Sequence, residues 1–180
     1  VYISSGIKHV SDEIREQQPT HLILVPAFLE VMNRKIWATA RKEGKEGLLK
    51  TMMKVSDCLR KVGIDVRKKL FSSVLSAFGG KLELIICGGA KLDEEIIRNF
   101  DALGITVLNG YGITECAPII AVNHNYFITD GSVGPALPID EIKIHDPNED
   151  GEGEIYVRGS NVMLGYYKDE AATAAAFDEE

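Results

Sequence analysis

No apolar run in this sequence approaches the roughly 20 residues that a helix needs to cross a bilayer, which excludes a helical membrane span. Cysteine is scarce. Cys58, Cys87 and Cys116 form no CxxC pair, and their equal spacing of 29 residues has no matching similarity around it. That argues against a disulfide framework or a thiolate metal site, and reduced thiols of a cytoplasmic protein are the expectation. The four histidines, His9, His21, His124 and His145, lack ligand spacing, so zinc is not expected. Positive charge is also in deficit: 20 Lys and Arg against 27 Asp and Glu leave a net charge of -7. A nucleic-acid binder normally carries a basic face, and that class is set aside. The local clusters Arg41-Lys42 and Arg67-Lys68-Lys69 fall on expected helices and read as solvated faces. No GxSxG elbow, GxxxxGK[ST] loop or GxGxxG fingerprint occurs.

What is present is ordinary in bulk. At 180 residues, with 45% hydrophobic and 26% charged content, the chain can form one domain or part of a larger one. It begins at Val1 and stops at Asp178-Glu179-Glu180 directly after a helical pattern, so an excised piece of a longer protein is expected.

The periodicities predict an α/β fold: a mostly parallel sheet flanked by helices, followed by a small antiparallel β portion. Ser11 with acidic Asp12 and Glu13 opens a short helix that ends before Pro19. His21 to Val25 reads as a strand, and Pro26 to Arg41 as a helix with proline in its first turn. Helices over 47–61 and 65–78 follow, closed by Gly79-Gly80. Leu82 to Cys87 is a near-continuous apolar strand of the kind covered on both faces. A helix over 93–103 leads to a strand at 105–108, which makes a parallel strand–helix–strand unit. Beyond Asn125, segments 131–135, 141–144 and 154–158 read as short antiparallel strands, and 168–177 as a helix. The expected subdomains are 1–128 and 129–180.

Ligands in open α/β sheets bind beyond the carboxyl ends of the strands, where Gly88-Gly89-Ala90 and Asn109-Gly110-Tyr111-Gly112 are expected. The second turn is followed by Thr114 and Glu115, which open an expected helix over 115–122. A glycine turn and a helix N-terminus suit an anion. Tyr111 between two glycines offers a stacking surface, and Glu115 a carboxylate for Mg²⁺. The structural alternative is that Thr114 merely caps the helix and Glu115 merely complements its dipole. Asp146-x-Asn148-x-Asp150-Gly151 mimics half of an EF-hand loop, but Val157 stands where a bidentate glutamate is required. An acidic hairpin turn is the expectation there.

Taken together, these residues resemble the adenylate-forming superfamily, and within it the long-chain acyl-CoA synthetases. Tyr111-Gly112-Ile113-Thr114-Glu115 is similar to its YGxTE motif, and Gly88-Gly89-Ala90-Lys91-Leu92 to its GGAxL turn. Pro19-Thr20 with Val25-Pro26-x-x-Leu29-Glu30, Gly131-Ser132-Val133-Gly134, Gly151 to Gly159, and Val162-Met163-x-Gly165-Tyr166 continue the pattern in order. The resemblance implies that Tyr111 stacks on adenine, with Asn109 and Gly110 at the ring edge. It also implies that Gly88, Gly89 and Ala90 line the adenylate, while Gly112 and Thr114 belong to the nucleotide site. Thr114 and Glu115 are the implied catalytic pair, one binding phosphate and the other holding Mg²⁺. The implied partners are fatty acid, ATP and CoA, with peripheral membrane contact of the parent. A carboxylate is already ionised at pH 7, so its attack on the α-phosphorus needs no general base, and catalysis rests on positioning and charge stabilisation.

The superfamily's phosphate loop, its TGD segment and its C-terminal lysine domain have no counterpart here. The chain alone is therefore expected to lack ligase activity, to bind ATP weakly or not detectably, and to self-associate through uncovered apolar surface. An adenylating enzyme for an aryl or amino acid, and a non-catalytic scaffold that keeps the fold, are the alternatives.

Overall fold

The computed structural model describes residues 1–6, 8–124, 128–129 and 131–178. Its strands run in the order β1 (His21–Leu24), β2 (Leu84–Gly88), β3 (Thr106–Tyr111), β4 (Ala121–Val122), in a mostly parallel sheet. A separate antiparallel pair is formed by β5 (Asp140–His145) and β6 (Glu154–Gly159). The chain divides into two compact units, Val1–Asn109 and Gly110–Glu180. The subdomain boundary expected at 128/129 lies inside the second.

In the first unit, β1 pairs parallel with β2, bringing Leu22 opposite Ile85 and Leu24 opposite Cys87. Side chains alternate across a strand, so these residues share one face. That face is covered: Ile85 and Cys87 are 0% exposed. The other face is not, and Ile23 is 84% exposed. On β2 the residues of that second face, Leu84 and Ile86, are half-buried, where full cover on both faces was expected. Its strand also begins two residues later than expected, after Glu83, whose side chain pairs with Lys68.

The helices α1 (Val10–Gln17), α2 (Pro26–Lys42), α3 (Glu46–Lys61) and α6 (Glu94–Leu103) fall within a residue or two of their sequence positions. Helices α2, α3 and α6 each bury an apolar stripe, such as Leu29, Met32 and Ile36 on α2, whereas α1 buries Ile14 alone. In α1 the capping position is His9, and Ser11 lies inside the helix. The helix expected over 65–78 is broken. Phe71 separates α4 (Arg67–Leu70) from α5 (Ser72–Ser76), and its ring is buried at 1% exposure. Arg67 is no solvated cation either: its guanidinium engages Asp65, Asp101 and the Asp101 carbonyl, tying α4 to α6.

The second unit is thinner. Its buried apolar residues are Cys116, Ile120 and Ala121, among the described residues. The segment 131–135 forms no strand; Ala136 makes a single bridge to Ala121 instead. The acidic loop after β5 is a turn, as expected. The Asn148 side chain accepts from the N–H groups of Asp150 and Glu152. Helix α7 (Glu170–Ala176) is capped by Asp169, which accepts from the Ala172 N–H.

Candidate functional site

Within the first unit, Gly88 ends β2, and Gly89 and Ala90 follow it as an exposed turn with Gly89 at φ +91°. Asn109 lies on the neighbouring strand β3.

In the second unit, Gly110 and Tyr111 continue β3 and pair antiparallel with Val122 and Ala121 of β4. They are strand residues, which corrects the expected glycine turn. The helix expected over 115–122 is also absent. Thr114–Cys116 forms one 3-10 turn, Ala117 follows at φ +50°, and the chain doubles back into β4. Pro118 therefore begins the return instead of a helix, and Thr114 makes no capping hydrogen bond, the capping position being Ile113. The anion cradle expected from a helix N-terminus is not built.

The tight reversal is what demands Gly112. A Cβ there would meet the Pro118 carbonyl oxygen at 1.7 Å, and that oxygen is backbone that cannot swing away. No other residue type fits without moving the turn. The Ile120 N–H donates to the Tyr111 carbonyl at 2.9 Å and closes the loop. Residues 112–119 are thus held as a finger, with Thr114 exposed and Glu115 half-buried.

Glu115 is the fixed point of this finger. Its carboxylate accepts a hydrogen bond from the Tyr166 hydroxyl at 2.7 Å, and its carbonyl accepts from the Met163 N–H at 2.7 Å. The phenol hydrogen bond holds the Glu115 carboxyl below the usual carboxylate range, and the same contact raises the Tyr166 phenol. Sequence reasoning placed Gly165-Tyr166 in a motif but gave Tyr166 no partner. A 51-residue separation leaves no local signal for such a contact.

No group of three or more His, Cys, Asp or Glu side chains able to hold a metal is present among the described residues. Within the finger 112–119 the one acidic side chain is Glu115. That chemistry fits Mg²⁺ of the substrate-bound kind, which takes one or two carboxylates and completes its shell with phosphate oxygens and water. The two buried thiols are not candidates for chemistry. Burial pushes Cys87 up to about 11, and burial raises Cys116, with Asp140 and Glu115 adding to it.

The sequence profile of the AMP-binding enzyme family matches residues 2–167. Long-chain-fatty-acid–CoA ligase 1 of Cavia porcellus is 33% identical over 192 residues, covering 99% of this chain and 27% of that protein. The Homo sapiens protein of the same name is 32% identical over 191 residues, again covering 99% and 27%. The chain thus spans about a quarter of the length of these curated relatives. Among solved structures, apo MatB from Rhodopseudomonas palustris superposes with a TM-score of 0.59 at 25% identity, covering 96% of this chain and 28% of that one.

Proposed function

This chain belongs to the AMP-binding enzyme family, and from that premise we propose that it is the adenylate-binding part of a long-chain fatty-acid–CoA ligase. In that reaction the fatty-acid carboxylate attacks the α-phosphorus of ATP, forming acyl-AMP and releasing pyrophosphate, and the acyl group then passes to the CoA thiol with release of AMP. The observation that carries this reading is the finger 112–119, in which Glu115 accepts hydrogen bonds from Tyr166 and Met163 while Thr114 stays exposed.

The roles follow from what each group can do. Tyr111 offers an aromatic face for adenine, with Asn109 and Gly110 at the ring edge. The Thr114 hydroxyl donates to a phosphate oxygen. Glu115, ionised well below neutral pH, presents negative charge to the cation that accompanies ATP; Mg²⁺ there would neutralise charge building on the phosphates. Gly88, Gly89 and Ala90 present a backbone turn with no bulky side chain, which suits close approach of the adenylate. The substrate carboxylate brings its own nucleophile, so a base is not required and positioning carries the rate. The identity of both fatty-acid–CoA ligases supports an acyl substrate over an aryl or amino acid.

Glu115→Gln in the full-length protein is expected to lower kcat/KM about 100-fold, the upper end for loss of a group that positions a metal, and to raise the Mg²⁺ requirement. Pyrophosphate release across a panel of acids reads both points. Unchanged activity and metal dependence would remove Glu115 from its role. A preference for aryl or amino acids would move the substrate class.

A further inference from the structure

Tyr166 does more than cover a surface. Its hydroxyl meets Glu115 Oε1 at 2.7 Å, although Tyr166 itself is 41% exposed. An exposed tyrosine has no packing reason to point at a carboxylate. Its backbone is tied down as well: the Tyr166 N–H donates to the Thr173 hydroxyl at 2.9 Å, and that hydroxyl donates to the Asp169 carbonyl at 2.7 Å. Asp169 in turn caps α7. Gly165 precedes at φ +146°, where a Cβ would lie 2.7 Å from Thr173 Cγ2. Two residues earlier, the Met163 N–H holds the Glu115 carbonyl. The loop 163–166 therefore grips Glu115 at both its backbone and its carboxylate, and is itself anchored on α7.

We infer that Tyr166 is a positioning residue for Glu115, its phenol fixing the carboxylate so that the remaining oxygen lone pairs face the cation of a bound nucleotide. A carboxylate has two oxygens and about four acceptor sites, so one phenol leaves room for a cation. The geometry is that of an outer partner that orients a metal ligand without touching the metal. The inference rests on the adenylate reading for the cation, and on the structure alone for the brace.

Tyr166→Phe removes one oxygen from an exposed ring and leaves the fold intact, which an unchanged thermal midpoint verifies. In the full-length protein with ¹³C-labelled glutamate, the variant is expected to shift the Glu115 carboxylate resonance at neutral pH, since the hydrogen bond from the phenol is lost. With Mn²⁺ and ATP as the probe, water-proton relaxation is expected to show cation binding weakened about 10-fold. Thr173→Val, which frees the Tyr166 backbone but keeps the phenol, is expected to give a smaller change of the same sign. An unchanged Glu115 carboxylate resonance in Tyr166→Phe overturns the inference, as does an unchanged Mn²⁺ affinity. A shifted resonance in a full-length protein that gives no Mn²⁺–ATP signal even as wild type refutes the adenylate reading and the cation role together, and leaves Tyr166 a brace only.

Discussion

Gly112 and Glu115 bear most of the weight at the scale of single residues. A methyl group at position 112 would sit 1.7 Å from the Pro118 carbonyl oxygen, far inside van der Waals contact. Gly112→Ala must therefore open the finger, and is expected to destabilise the fold by about 2–4 kcal/mol, within the range of backbone and overpacking defects. It should also abolish the Tyr166–Glu115 contact. Urea denaturation with the Glu115 ¹³C signal as a second probe checks both; full stability in the variant would contradict the geometry. Gly110, the other glycine of the pair, meets the Ala121 carbonyl only at 3.3 Å, so the two glycines are not equivalent. Sequence reading treated them alike, because the difference lies in Pro118, brought close by the reversal.

Among the elements, α6 shows how burial outweighs capping. Asp93 accepts from the Glu95 N–H at 2.8 Å and caps the helix, while Phe100 on the same helix is 0% exposed. Asp93→Ala is expected to cost about 1 kcal/mol, and Phe100→Ala about 3–5 kcal/mol. Chemical denaturation of the two variants reads the ratio, and equal costs would refute it. Helices with a strong apolar stripe (α2, α3 and α6) were legible because their stripe repeats locally. The single helix expected over 65–78 was not, because its break at Phe71 serves the burial of that ring. The helix expected at 115–122 failed for a related reason. Thr114, Glu115 and Pro118 match a helix start, yet Ile120 and Ala121 are buried at 0% and 3% exposure by pairing back along β3 and against residue 136.

On the scale of the whole molecule, the apolar core is unevenly shared. The main cluster runs from Ile14 to Val107 and lies entirely in the first unit. The β5–β6 pair of the second leaves Ile142, Ile144 and Ile155 about 40% exposed, and a two-stranded sheet without a covered face is marginal in water. Backbone amides of β5 and β6 are expected to exchange with deuterium at least 100-fold faster than those of β2, since local opening follows buried apolar contact. Equal protection in the two sheets would refute this. The sequence by itself determined the family, an α/β fold with a mostly parallel sheet, the main helices and the motif residues, since each rests on local periodicity or on residues adjacent in the chain. Only the tertiary structure decided that Asn109 to Tyr111 are strand, that Gly112 is forced by Pro118, and that Glu115 is gripped by Tyr166. Those outcomes depend on contacts between segments up to 51 residues apart, and no local pattern encodes which distant atoms will meet.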